Sequence, residues 1–490
     1  MHSHLIDNQW QVGSGQPFAS LNPATGEIVW QGRAATNAEV ATAIASARCA
    51  APAWAARPLD ERIVLLRNFG KQLETHREAI AEAISLEVGK PRWEATGEVG
   101  TMLAKVPTTI EAYHDRLREA EVDLGTARGV TRHKPHGVLG VFGPFNFPGH
   151  LPNGHLVPAL LAGNTVVFKP SEHTPLTAQR MVELWLDAGL PEGVVNLVQG
   201  GRETGIALTE HTGHDGLLFT GSLGTGVALR YAMVDKPEKI LALEMGGNNP
   251  LLVHEVNDLD AAAYMTIQSA YATAGQRCTC ARRLIVVNDE AGDRFVERLT
   301  DMIGRVRIGA YTDDPEPFAG PVISSATADH LLNAQVALID GGAQPIVEMR
   351  RLNGNSNAML SPGLLDVTPM KQRDDNELFG PLLQLIRVPD FEAGIAEANR
   401  TAYGLVAGLL SNNTDRYDHF YQRVRAGLIN FNRPTTGASG KLPFGGVGRS
   451  GNHRPSGYFA VDYCTYPVAS LESDDLTMPD KLPPGIDAER

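Results

Sequence analysis

Cysteine is scarce in this chain. Its 490 residues hold four, Cys49, Cys278, Cys280 and Cys464, and their spacing builds no disulfide framework. Cys278-x-Cys280 has no second Cys/His pair nearby, which excludes a structural zinc knot and leaves no metal expected. Positive charge is also short. With 43 Lys and Arg against 56 Asp and Glu the net charge is −13, a balance that argues against a nucleic-acid or anionic-membrane surface. No apolar run reaches membrane-spanning length, and Met1-His2-Ser3-His4-Leu5 has neither the cationic start nor the apolar stretch of an export signal. Internal repeats and low-complexity blocks are lacking too. What remains is an ordinary composition, 43% hydrophobic and 20% charged, long enough for two or three domains in a reducing cytoplasm.

The densest chemistry lies in Gly275-Gln276-Arg277-Cys278-Thr279-Cys280, a turn and a thiol before the strand-like run Leu284–Val287. A Gly-Gln turn lets backbone approach a ligand closely and leaves an N–H beside the sulfur. Upstream, Leu243-Glu244-Met245-Gly246-Gly247 sets a carboxylate among small and apolar residues. A lone cysteine is ordinarily a small hydrophobe. A thiol and a carboxylate in two Gly-marked loops is the layout of covalent catalysis.

Around these motifs the chain reads as follows. Short strands and turns fill residues 5–30, and helical spacing runs from Asn37 to Val88 and again through Trp93–Ala120. Arg132-His133-Lys134-Pro135-His136 reads as a solvated face on an edge strand. The buried-type strand Gly137–Phe142 leads into Gly143-Pro144-Phe145-Asn146-Phe147-Pro148, where Asn146 either caps the following helix or serves a site. Strand Thr165–Lys169, a helix through Ala188, strand Val194–Val198 and strand Gly216–Thr220 follow, and this β-α-β alternation argues for a parallel sheet. The turn Gly221-Ser222-Leu223-Gly224-Thr225-Gly226 follows a strand and opens a helix. It is either a plain tight turn or a seat for a pyrophosphate on free N–H groups. A second α/β pattern has a helix over Leu259–Ala274, strand Leu284–Val287, a helix over Ala291–Val306, strand Leu382–Val388 and strand Leu428–Phe431. Tyr463–Leu471 alternates like a strand that pairs with another subunit, and the acidic, Pro-rich end reads as a disordered tail.

Taken together, the Glu-x-Gly-Gly stretch at Glu244, the Gly-Gln-x-Cys stretch at Cys278 and the Pro-Phe-Asn-Phe-Pro stretch at Asn146 resemble the aldehyde dehydrogenases, in family order over nearly the whole chain. The resemblance implies an α/β fold: a variant Rossmann cofactor domain (1–120 and 137–246), a second α/β catalytic domain (247–450), a small β oligomerisation element (121–136 and 451–475) and a tail (476–490). It implies NAD as cofactor, with Lys169 and Glu172 on the adenosine ribose, the 221–226 turn on the pyrophosphate, Glu377 on the nicotinamide ribose and Phe379 on the ring. It implies that Cys278 attacks an aldehyde, that the Asn146 amide and the Cys278 N–H hold the oxyanion, and that Glu244 activates water to release the acid. Arg277 and nearby N–H groups would favour the thiolate. Homodimers or homotetramers are expected.

Pro148–His155, Cys278–Arg283 and Gly451–Ser456 resemble one branch of the family, the N-succinylglutamate 5-semialdehyde dehydrogenases of arginine breakdown. Gly154, where many relatives carry a bulky aromatic, leaves room for a long substrate. Succinate-semialdehyde dehydrogenases, the rival for an anionic semialdehyde, have an arginine where this chain has Ala272. A coenzyme-A-acylating enzyme tends to lack the residue that Glu244 supplies, and a non-catalytic protein of this fold would not need Cys278, Glu244 and Asn146 intact. Arg277 is the first candidate to hold a substrate carboxylate, its alternative being to point away and pair with a structural acid. Cys280 reads as structural.

Overall fold

The structure is a computed structural model that describes residues 2–125, 127–352, 356–479 and 481–486. Two seven-stranded sheets dominate it. In the first, Val138–Phe142 lies between Thr165–Lys169 and Gly216–Gly221. Val195–Leu197 continues one side and Ile240–Met245 the other, all in parallel register. The hairpin His4–Ile6 with Gln9–Gln11 extends the sheet beyond Val195–Leu197 in antiparallel sense. Val138–Phe142 and Thr165–Lys169 are buried at every position, because helices cover both faces of a parallel sheet. The chain moves outward from Val138–Phe142 and then returns to its other side at Gly216–Gly221. A crevice therefore opens at the carboxyl ends of those two strands, where ligands of such sheets bind.

The helical layer is more divided than the sequence predicts. Asn37–Val88 forms three helices, Asn37–Ala56, Leu59–Thr75 and Arg77–Val88, interrupted at Pro58 and His76. The first starts on a capping box made by Thr36 and Glu39. The next, Arg92–Arg116, ends earlier than expected, and Ala120 already belongs to a strand.

The second sheet runs Gln344–Val347, Gly363–Asp366, Leu382–Val388, Ala281–Val287, Asn249–Val253, Val406–Leu410, Leu428–Phe431, parallel except for the first strand. A third sheet has Arg128–Pro135 at its centre, flanked by Ala120–Asp123 and Thr465–Glu472. One expectation is corrected here. The basic cluster at Arg132 lies on the central strand, and Arg132 pairs with Glu472 and with Glu119 at 2.9 Å. The terminal strand pairs through one edge with Arg128–Pro135 of its own chain, from Thr465 opposite Pro135 to Glu472 opposite Arg128, and its other edge is unpaired among the described residues. Ala460, Tyr463 and Cys464 join the core of the first sheet. Of the expected tail, residues 476–479 and 481–486 carry no helix or strand; Asp480 and 487–490 lie outside the described residues.

Candidate active site

The nucleophile loop is shaped by a helix that stops early. Sequence predicts a helix through Ala274, yet it ends at Tyr271, because Thr273 (φ 56°) and Ala274 (φ 52°) are left-handed, followed by Gly275 (φ 71°). Two non-glycine residues in that region are strained and need outside support. Thr273 Oγ1 bonds the Glu94 carboxylate, and Arg277 Nε donates to the same Oγ1 at 2.8 Å. Gln276 Nε2 donates to Thr273 O at 3.2 Å, and its Oε1 accepts from Ile323 N at 2.9 Å. Gly275 is obligatory, since a Cβ there would overlap the Gly380 carbonyl. On the far side, Asn249 Nδ2 donates to Cys278 O at 2.7 Å and to Cys280 O at 2.9 Å. Cys280 is buried, with its sulfur 3.7 Å from Ala272 O.

Cys278 opens onto a cavity of about 1100 Å³ that Asn146 and Glu244 also line. Asn146 Nδ2 donates one hydrogen to Gln276 O at 2.9 Å; among the described residues its second hydrogen and the Cys278 N–H have no partner. Glu244 closes the strand Ile240–Met245. Its Oε1 accepts from Ser456 N at 3.3 Å, while Oε2 is buried and unpartnered. Burial holds this carboxyl well above the usual range. The Cys278 thiol is pushed up to about 12, first by burial, then by the Glu377 and Glu244 carboxylates, against the pull of Arg282. The expectation that Arg277 favours the thiolate is not met at rest. Its guanidinium is turned onto Glu94 and lies 5.1 Å over the Phe147 ring, and it does not border the cavity. Its reading as the substrate's anchor loses its geometric basis for the same reason.

The opposite end of the cavity is built by backbone. Helix Leu223–Ala232 begins at Ser222, whose hydroxyl accepts from Thr225 N, and Gly221, Ser222, Gly224 and Thr225 border the space. A Cβ at Gly224 or at Gly201 would meet nothing within 4 Å, so the helix start is open to an anionic ligand. Leu223 and Gly226 face inward instead: Leu223 packs on the first sheet's core, and a Cβ on Gly226 would overlap the Met245 sulfur. Lys169 Nζ donates to Pro170 O at 2.9 Å and lies 4.0 Å from the half-exposed Glu172. Between the two ends sit Glu377, which accepts from Gly247 N at 3.1 Å, and Phe379, edge-on to Phe145 at 6.0 Å. The glycine at Gly246 leaves the space that the Glu377 carboxylate fills. An open helix start, the carboxylates of Glu172 and Glu377 and the Phe379 ring along one cavity fit a dinucleotide.

Residues 10–468 match the Aldehyde dehydrogenase family. The chain belongs to that family. It is 54% identical over 486 residues to the N-succinylglutamate 5-semialdehyde dehydrogenase of Chromobacterium violaceum, covering 99% of this chain and 100% of that one. Among solved structures, an NAD-dependent aldehyde dehydrogenase from Sinorhizobium meliloti matches with a TM-score of 0.91 and 29% identity, over 98% of this chain and 96% of that one. A structure from Sinorhizobium meliloti 1021 complexed with NAD matches with a TM-score of 0.91 and 26% identity, over 97% and 98%.

Several residues of this aldehyde dehydrogenase site escape a motif reading. Ser456 supports Glu244, and Thr101, Lys105, His150 and His155 border the cavity. The signal for Lys105 is present in the helix Arg92–Arg116: Glu94, Glu98, Thr101 and Lys105 recur at helical spacing, where a stripe facing the core should be apolar. Gly154 keeps its promise of space, because a Cβ there would meet nothing within 4 Å.

Proposed function

We infer that this aldehyde dehydrogenase oxidises N-succinyl-L-glutamate 5-semialdehyde to N-succinyl-L-glutamate with NAD, through a thiohemiacetal and a thioester on Cys278. The observation that carries the chemistry is the meeting of the Cys278 thiol, the Asn146 amide and the Glu244 carboxyl on one cavity. The substrate rests on the 54% identical relative and on the open wall at Gly154.

As the carbon–sulfur bond forms, the thiol gives its proton to water in the open cavity and the carbonyl oxygen takes up negative charge. Two uncommitted donors, the second Asn146 amide hydrogen and the Cys278 N–H, are available to hold it. Bound NAD supplies the acceptor for the hydride that leaves the tetrahedral carbon. Ser222 to Thr225 would hold its pyrophosphate, Lys169 and Glu172 the adenosine ribose, Glu377 the nicotinamide ribose and Phe379 the ring. Water then attacks the thioester, Glu244 takes its proton, the C–S bond breaks and the acid leaves. A carboxyl with a raised proton affinity and an unpartnered oxygen suits that transfer. A homodimer or homotetramer in the cytoplasm completes the reading, supported by the unpaired outer edges of the three-stranded sheet among the described residues. Light scattering tests the assembly.

Two experiments test the chemistry. kcat/KM for the succinylated semialdehyde should exceed that for succinate semialdehyde and simple alkanals, and the reverse order overturns the substrate. Glu244→Gln should release about one NADH per site and then stall, whereas Cys278→Ser should release almost none. Equal loss of burst and turnover in Glu244→Gln would instead make Glu244 the activator of the thiol.

A further inference from the structure

A substrate with two carboxylates needs a cation on the cavity wall, and Arg277 is occupied by Glu94. The lysines and arginines that border the cavity are Lys105, Lys169 and Arg202. Lys169 and Arg202 lie on the cofactor half, the former beside Glu172 and the latter at the start of the helix Arg202–Glu210. Lys105 lies on the other half, where the helix Arg92–Arg116 packs against His150–Ala162.

Lys105 differs from the two buried acids that precede it on the helix. Glu94 is paired with Arg277, and Glu98 with Lys90 at 2.6 Å. Lys105 is 6% exposed and, among the described residues, has no acid within ion-pair distance. Its ammonium donates to Gly457 O at 2.7 Å, which leaves two of three hydrogens uncommitted. An unpaired buried cation is costly to the fold and is tolerated where a ligand brings the opposite charge. The neighbours do not compete for it. His150 and His155, on the facing helix, are lowered to about 3 by burial and by the charge of Lys105, so both stay neutral. Thr101, one turn before Lys105, and Gly154, with open space around it, border the same cavity.

We propose that the Lys105 ammonium anchors a substrate carboxylate remote from the aldehyde, and so sets the preference for an anionic semialdehyde. This rests on the function inferred above. Burial also holds Lys105 down at about 8, so a bound carboxylate would strengthen its charge as well as meet it.

The test is a ratio, kcat/KM for N-succinylglutamate 5-semialdehyde over kcat/KM for hexanal. Lys105→Met should lower it by about ten- to a hundredfold, mainly through KM on the anionic substrate, and Lys105→Arg should restore most of it. Lys105→Gln, which keeps a donor for Gly457 O, covers the case in which the methionine variant does not fold, and its ratio must fall as well. An equal loss on both aldehydes overturns the proposal, because Lys105 would then act through Gly457 and Ser456 on Glu244. A wild-type ratio near one overturns the anionic substrate and the anchor together. A high wild-type ratio that survives in Lys105→Met and Lys105→Gln overturns the anchor alone.

Discussion

The two seven-stranded sheets meet the cavity with opposite ends. The first presents carboxyl ends: Asn146 follows Val138–Phe142, Ser222 follows Gly216–Gly221, and Glu244 is the penultimate residue of Ile240–Met245. The second presents amino ends: Cys278 precedes Ala281–Val287, and Glu377 and Phe379 precede Leu382–Val388. The loops differ accordingly. Beyond the first sheet the chain turns into helices, and glycines with open space around them leave backbone N–H groups for a ligand. Before the second sheet, buried side chains tie the loops down. Asn249 holds both ends of Cys278–Cys280, Arg282 donates to Arg277 O at 3.0 Å and Gly380 O at 3.2 Å, and Arg283 donates to Asn248 O at 2.9 Å. A site that must admit a large cofactor and also hold a thiol behind the strained turn at Thr273 and Ala274 divides these demands between two sheets.

Removing a tie from the second sheet should have the largest effect. Asn249→Ala deletes two donated bonds and the acceptor for Val406 N, and should lose about 2–4 kcal/mol of stability. Urea unfolding measures that, and turnover should fall while NAD affinity, set mainly by the first sheet's open helix start at the pyrophosphate, stays within about twofold. A parallel fall in NAD affinity would erase the division.

Next comes a tight glycine on the helix that follows the first sheet's strand Gly216–Gly221. Gly226→Ala drives a methyl into the Met245 sulfur and should cost about 1–3 kcal/mol in the same assay.

Glu244 is the first sheet's exception, a side chain whose ionisation the fold opposes. Its native pKa is raised, so below about pH 4 it is protonated in both the folded and the unfolded chain and carries no penalty. As pH rises past that value the unfolded chain ionises first and the native state loses stability, until the native pKa is reached. Glu244→Gln should therefore unfold at higher urea than wild type at pH 8, by about 1–2 kcal/mol, with the gap closing toward pH 4. A gap independent of pH would mean that the carboxylate is not disfavoured.

The smallest structural effect belongs to Gly224→Ala, which should leave stability within about 0.5 kcal/mol and still weaken NAD in a fluorescence titration.

The same division governs what could be read in advance. Val138–Phe142 and Thr165–Lys169 are legible because burial on both faces writes them as unbroken apolar runs. The turn after Gly216–Gly221 is legible because glycines and a capping serine are local signals. The second sheet's ties are not. Thr273 and Ala274 are ordinary helix residues, and their left-handed turn is enforced by Glu94, far away in sequence. The fate of Arg277 follows from that same partner, which no spacing around Cys278 reveals. Helix breaks at Pro58 and His76 were written over by a helical composition on either side.

Ser456 supports Glu244 and Gly457 receives Lys105, while Thr465–Glu472 closes onto Arg128–Pro135. A ribosome makes the thiol, the carboxyl and the lysine well before it makes these partners. Between residue 278 and residue 456 the growing chain thus carries Cys278 without a finished site around it, and for longer still it carries Arg128–Pro135 with one edge unpaired, a stretch that invites wrong pairings. Chemical competence arrives with the last strands, so a translation product interrupted between Phe379 and Ser456 would hold Asn146, Glu244 and Cys278 and perform none of the turnover.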